Sequence, residues 1–317
     1  MKDIRISVVI PIFNEQEAIS ELYQRCVRTL SGRGNFELIF VDDGSVDGSY
    51  TRVVALSRQD KRVKVLHFSR NFGHQIALSA GIDHAVGEAV ITIDGDLQDP
   101  PEVMGELINA WEQGAEIVFA RRKARKDSLF KKCTAFIFYR LLQKFSSVQL
   151  PVDVGDFRLL DKKVVSHLRQ FQERQRYVRG LVSWVGFSSK IILYEREERK
   201  NGVSKYHLSK MMRFAWDGIT SFSYIPLRAA SYLGILSALI GFLLGLYTIY
   251  AKLTYPAPQI VVGWASIITA IFFLGGVQLL ILGVMGEYIG RIYTETLHRP
   301  LYIIEEKINF EEKPRKE

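Results

Sequence analysis

Two long stretches without a charged side chain constrain this chain more than any other feature. Between Arg228 and Lys252 lie 23 consecutive uncharged residues, and between Lys252 and Glu287 lie 34. About 20 apolar residues already cross a bilayer. The runs therefore predict two membrane spans, at about 229–251 and 261–285, joined by the turn-like YPAPQ. The rest of the 317 residues has an ordinary balance of charged and apolar side chains, which excludes global disorder. The expected organisation is a large soluble part, a hairpin through the membrane and a short tail.

The net charge of +8 lies wholly in residues 1–228, where 35 basic residues face 27 acidic ones. A basic domain suits nucleic acid or an anionic membrane surface, and the adjacent spans favour the membrane. Residues 121–145 hold nine Lys/Arg and one Asp among Leu129, Phe130, Phe136, Ile137 and Phe138. Residues 205–222 set Lys205, Lys210 and Arg213 against Leu208, Met211, Met212 and Phe214. Both stretches suit helices lying on a membrane surface. Between the spans only Lys252 is basic, so the positive-inside rule places both termini in the cytosol, beneath the plasma (inner) membrane. Cys26 and Cys133 lack metal-type spacing and are expected to be free thiols in a reducing compartment. The opening MKDIRISVVIPIFNE reads as a strand, not a signal sequence.

The first 120 residues alternate strand and helix. Strands are expected at 4–10 (ending at Pro11), 36–41, 63–68, 89–94 and 116–120. Helices are expected at 16–31, at 47–58 with Asp47 as N-cap, at 73–86, and after Pro100-Pro101. The pattern defines a doubly wound, Rossmann-like, mostly parallel α/β sheet, whose ligands gather at the carboxyl ends of the strands. Polar clusters fall at those ends: Asn14-Glu15, Asp42-Asp43, Ser69-Arg70-Asn71 and Asp94-Gly95-Asp96.

Two carboxylates at i and i+2 past a strand end, with Gln98 two residues on, can share one divalent cation and the phosphate oxygens it holds. A solvated turn has the same composition, but the position after the fourth strand favours metal. Asp42-Asp43-Gly44-Ser45 suits either a hydrogen-bonded nucleoside or a capped turn. No GxxxxGK[ST] and no GxGxxG occurs, which argues against P-loop ATPases and dinucleotide enzymes. His67, His74 and His84 are expected to be surface or packing residues.

VVIPIFNE (8–15), VDDGSVDGS (41–49), FSRNFGHQIALSAG (68–81), DGDLQDPPE (94–102), GDFRLLD (155–161) and RKNGVSKY (199–206), followed by two spans, resemble the family 2 inverting glycosyltransferases. More narrowly, the chain is similar to polyisoprenyl-phosphate glycosyltransferases of the GtrB type and to dolichol-phosphate mannose synthase. The resemblance implies a GT-A domain that moves one hexose, glucose from UDP-glucose by overall similarity, onto polyprenyl (undecaprenyl) phosphate. It implies a nucleotide-sugar pocket of Pro11, Asn14, Glu15, Asp42, Asp43 and Gly44, and Mg²⁺ or Mn²⁺ held with the diphosphate by Asp94, Asp96 and Gln98. Arg121 or Arg122, just past the fifth strand, and Lys131 or Lys132 would meet the acceptor phosphate. Asp156 would sit near the reacting sugar, and Arg199, Ser204 and Lys205 would belong to a loop closing over the diphosphate.

The expected division is 1–120 as the nucleotide-sugar core, 121–228 as the acceptor side, 229–285 as the hairpin and 286–317 as a cytosolic tail. Gly234, Gly241, Gly245, Gly275 and Gly276 offer small surfaces for helix approach. A homo-oligomer is expected, a tetramer ahead of a dimer by family resemblance. The rival class is a membrane transport or scaffold protein with a nucleotide-sensing domain. Its spans would be expected to expose charge, and these carry none.

Overall fold

A computed structural model describes residues 4–123, 154–171, 173, 176–196, 225–254 and 263–311. The chain divides into two compact units. One holds the α/β domain and the segment after residue 298, and the other holds the hairpin.

The domain is built on one eight-stranded sheet. In chain order the strands are β1 (Ile6–Ile12), β2 (Phe36–Asp42), β3 (Val63–Phe68), β4 (Ala89–Thr92), β5 (Ile117–Arg122), β6 (Val154–Asp161), β7 (Ser189–Tyr194) and β8 (Ile304–Ile308). They lie in the order β7-β5-β6-β4-β1-β2-β3-β8. The helices are α1 (Ile19–Leu30), α2 (Ser49–Gln59), α3 (His74–His84), α4 (Met104–Glu112), α5 (Lys162–Leu168) and α6 (Val178–Trp184).

β1 to β4 are mutually parallel. β1 and β2 are buried at every position, as parallel strands covered on both faces must be. On one face Ile6, Val8 and Ile10 of β1 meet Leu22 and Cys26 of α1, Val53 of α2 and Leu107 of α4. α3 packs on the other face, against β1 and β2. The chain steps from β1 to β2 to β3, then crosses back to β4 on the far side of β1. Strand order therefore reverses between β1 and β4, and the crevice at such a switch point is where an open α/β sheet takes its ligand.

Pro11 lies inside β1 and does not end it. The Val9 carbonyl accepts from Ile93 on the β4 side, and Pro11 faces the same way two residues on. β1–β4 pairing stops at Val9 and Thr92, so the N–H that proline lacks has no strand to bond. The fifth predicted strand runs on to Arg122, which puts both arginines inside it. It joins β4 only through β6, which is antiparallel to both and carries GDFRLLD. The N-terminal end of β6 therefore lies at the edge where the parallel strands end. The tail also differs from expectation: Ile304–Ile308 pairs antiparallel with β3. The second helix starts at Ser49, with Gly48 in the cap position, and Asp47 accepts from the Ser49 N–H at 2.9 Å.

The hairpin helices are α7 (Ile225–Thr254) and α8 (Trp264–Thr296), each longer than the span expected from the sequence, 229–251 and 261–285. Within them Leu227–Tyr247 and Ala270–Thr296 have mean hydropathies of 2.0 and 1.8 and are almost unburied. Twenty-one residues reach about 30 Å as a helix, one hydrocarbon thickness. Of the five glycines, Gly234 faces the sister helix, with Ile281 3.4 Å from where a Cβ would stand; among the described residues nothing lies within 4 Å of a Cβ at the other four.

Candidate active site

Backbone geometry marks the crevice. Asn14 and Leu97 take left-handed conformations, with φ of 56° and 58°. Such φ values strain a residue with a side chain and concentrate at working sites. The loop after β4 alternates: Asp94, Asp96 and Gln98 are half-buried, while Gly95, Leu97 and Asp99 are buried. Gly95 is required by close approach, because a Cβ there would stand 2.8 Å from Ile12 Cγ2 and 3.0 Å from the Pro11 carbonyl oxygen.

Among the described residues Asp94 Oδ1 has no hydrogen-bond donor, and it faces His74 Nε2 at 3.5 Å. Burial, with Asp156, Asp99 and Asp96 nearby, pushes the Asp94 carboxyl up to about 6 despite the opposing pull of His74. Asp96 Oδ1 accepts from the Gln98 N–H at 3.1 Å, which shapes the turn. These are carboxylates crowded together without enough positive charge. Such a set fits a divalent cation completed by a ligand's oxygens. Among the described residues no three His, Cys, Asp or Glu side chains form a metal cage by themselves.

Asp156 is the opposite case. The β5–β7 register is unbroken, so the irregularity between Phe119 and Arg121 falls on β6, at Gly155–Phe157. This bulge presents Asp156 to α3 and α6. Its carboxylate accepts from Arg158 Nη2 at 2.6 Å, Arg179 Nη2 at 2.9 Å and Nε at 3.1 Å, and Gln75 Nε2 at 3.1 Å. His74 Nε2 stands 3.5 Å away. Burial alone would raise its pKa, but His74, Arg179 and Arg158 hold it well below the usual carboxylate range. Asp156 is thus a fixed anion. His74, expected to be a surface or packing residue, bridges it to Asp94, and those two carboxylates outweigh burial and raise the imidazole pKa.

The two arginines of β5 part company. Arg122 donates to the Tyr194 hydroxyl at 3.1 Å and lies 3.5 Å from Asp99. Asp99 is fully buried and also accepts from Tyr194 at 2.5 Å, with Arg196 at 3.5 Å. Sequence reasoning passed over Asp99, which ties the metal-type loop to β5 and β7. Strand alternation turns Arg121 to the opposite face, the Phe119 face, and among the described residues its side chain has no hydrogen-bond or ion-pair partner.

At the other end of the crevice the carboxylates are committed. Asp42 is fully buried, bonded to His67 Nδ1 at 2.7 Å and accepting from the Ser45 N–H at 3.3 Å. Asp43 accepts from the Phe72 N–H at 2.7 Å and the Gly73 N–H at 2.9 Å; burial raises its pKa even so. Gly44, at φ 69°, lies so close to Arg70 and Asn71 that a Cβ would fall 2.5 Å from the Arg70 carbonyl carbon. The Asn14 N–H donates to Ser45 Oγ, its Oδ1 accepts from Val46, and the Glu15 N–H donates to Ser49 Oγ. Three loops are thereby laced into one rim beside Pro11. Lys131, Lys132, Arg199, Ser204 and Lys205, and both surface-helix stretches, lie outside the described residues, apart from Arg121–Lys123 at the start of the first.

With a reversing sheet and an acidic crevice of this kind in place, the comparisons are unambiguous: the chain belongs to glycosyl transferase family 2. Residues 7–169 match that family, and residues 225–292 match the GtrB C-terminal hairpin. It is 48% identical to the uncharacterized glycosyltransferase YkcC of Bacillus subtilis, over 98% of this chain and 97% of that protein. It is 46% identical to the bactoprenol glucosyl transferase of Shigella phage SfV, over 95% of this chain and 98% of that protein. A prophage bactoprenol glucosyl transferase homolog of Escherichia coli K12 is 43% identical over 95% of this chain and 98% of that protein. The protein is a membrane-associated glycosyltransferase.

Proposed function

We propose that this protein transfers glucose from UDP-glucose to polyprenyl phosphate, a reading supported by its relatives named bactoprenol glucosyl transferases. The observation that carries the reading is the under-neutralised Asp94–Asp96 pair at the switch point of a family 2 sheet. An acceptor phosphate oxygen forms a bond to the anomeric carbon while the bond from that carbon to UDP breaks, with inversion.

The acceptor is already an anion, so the site needs no strong base. This agrees with Asp156, whose hydrogen bonds leave it ill-suited to taking a proton. Rate then comes from positioning and charge compensation. Asp94, Asp96 and Gln98 would hold Mg²⁺ or Mn²⁺, which when bound neutralises charge on the departing diphosphate. Asp156 fixes His74 and Arg179 beside it. Of the two arginines we assign the acceptor phosphate to Arg121, whose lack of a partner among the described residues supports the choice. Pro11, Asn14, Glu15, Asp42, Asp43 and Gly44 form the nucleoside end, Asp43 by holding its loops. Lys131 or Lys132 on the acceptor, and Arg199, Ser204 and Lys205 on the diphosphate, keep the roles the family resemblance implies.

Both ends of the hairpin lie on the cytosolic side in this account, by the positive-inside rule. The chain works as a homo-oligomer, with the open glycine faces of α7 and α8 free for other copies. The test is full-length protein in nanodiscs with labelled UDP-glucose and undecaprenyl phosphate. A lipid-extractable glucosyl product is expected. Sugar flux without glycolipid would instead support a transporter.

A further inference from the structure

Neither family match reaches β8. The match to the transferase ends at residue 169 and the match to the hairpin at 292, whereas β8 spans Ile304–Ile308. Its sequence, IEEKI, has the charge expected of an edge strand. Yet β8 meets the site through one row of residues.

In the β2–β3 register Asp42 stands opposite His67, and in the β3–β8 register His67 stands opposite Glu306. Asp42, His67 and Glu306 therefore form one row across three strands. His67 Nδ1 lies 2.7 Å from Asp42 Oδ2. The imidazole stacks on Tyr50 of α2, with ring centroids 4.0 Å apart. Tyr50 in turn donates its hydroxyl proton to Glu306. The register slips between His67 and Phe68, which leaves Glu305 as the extra residue of β8, with its carboxylate 3.8 Å from His67 Nε2. Lys307, the next residue along, bonds His84 instead.

An exposed ion pair at 3.8 Å contributes little on its own. The strong contacts are the bond from His67 to buried Asp42 and the Tyr50–Glu306 bond that holds the stacked ring. A carboxylate bonded from one side by an imidazole and from the other by the Ser45 N–H has a fixed plane. Its remaining lone pairs are then pre-aimed, which reduces the ordering needed when a ligand binds.

We infer that β8 is part of the donor site: Glu306 and Tyr50 hold His67, and His67 positions Asp42 at the nucleoside end of the pocket. His67, Tyr50 and Glu306 are positioning residues. The inference rests on the donor-pocket reading above.

The experiment is calorimetric titration of UDP into full-length protein in nanodiscs, with steady-state kinetics alongside. Losing a hydrogen bond to a buried carboxylate should weaken UDP binding about 10-fold in His67→Ala. kcat at saturating UDP-glucose should change by less than about twofold, because the loss falls on binding and not on the chemical step. His67→Asn, which keeps a donor near the Nδ1 position, should recover most of the affinity. Tyr50→Phe and Glu306→Gln remove one outer bond and should each cost about two- to threefold. Lys307→Ala, on the same strand, should change nothing. If His67→Ala does not fold, the Tyr50 and Glu306 variants decide the matter. UDP affinity equal to wild type in folded variants, or a fall in kcat with KM unchanged, overturns the inference and leaves the donor pocket standing. No UDP binding by the wild type overturns both.

Discussion

The Asp42-Asp43 and Asp94–Asp96 pairs look alike on paper, each being two carboxylates and a glycine at the end of a buried parallel strand. In the structure they are opposites. Asp42 and Asp43 are buried and bonded to His67, Ser45, Phe72 and Gly73, so their charge ties the turn after β2 to β3 and to the loop that follows it. Asp94 is pushed up to about 6 by burial and by Asp156, Asp99 and Asp96 around it, and among the described residues one of its oxygens has no hydrogen-bond donor. A satisfied carboxylate is scaffold, and an under-neutralised one awaits a partner. The same contrast divides Arg122, committed to Asp99, from Arg121 beside it.

The sharpest way to break this comparison is to remove one carboxylate from each pair. Asp96→Ala should lower turnover by about 10³-fold, the scale of a lost electrostatic contact to developing charge. Its thermal melting should match wild type, and excess chelator should have the same effect on the wild-type enzyme. A marked loss of stability would make this pair scaffold as well.

Asp156 tests the boundary between the two roles. Asp156→Asn leaves buried Arg158 and half-buried Arg179 without a counter-charge and should cost about 3 kcal/mol in urea unfolding. The single-turnover rate should fall far more than donor affinity. An unchanged rate would confine Asp156 to structure.

At the scaffold end, Asp43→Ala should cost about 1–3 kcal/mol of stability by leaving the Phe72 and Gly73 N–H groups without their acceptor. Residual turnover should far exceed that of Asp96→Ala. Arg121→Ala should raise the apparent KM for polyprenyl phosphate about 10-fold, the scale of one charge-assisted bond, with UDP-glucose affinity intact. The reverse pattern, with Arg122→Ala alone affecting the acceptor, would exchange their roles. The smallest effect is at Cys26, which burial raises to about 12; it should resist alkylation at pH 8 until the domain unfolds.

What the sequence revealed follows physical visibility. β1 to β4 are short, mostly apolar runs closed by polar turns, so strands and site loops are legible together. β6 was legible as the motif GDFRLLD but not as a strand, because the buried Arg158 and Asp156 interrupt its apolar pattern. β8 is not legible as a strand because three charged residues separate the two isoleucines of IEEKI. His74 and Asp99 are significant through partners distant in sequence, Asp156 for one and Arg122, Tyr194 and Arg196 for the other, which no local spacing encodes.

The most direct test of the contrast uses Mn²⁺ as a probe. Full-length protein with UDP, titrated with Mn²⁺ and followed by electron paramagnetic resonance, should bind one ion tightly per chain. Asp43→Asn should retain that ion, and Asp96→Ala should lose it. Equal binding by all three proteins, or loss in Asp43→Asn alone, would contradict the assignment of scaffold and reactive ends.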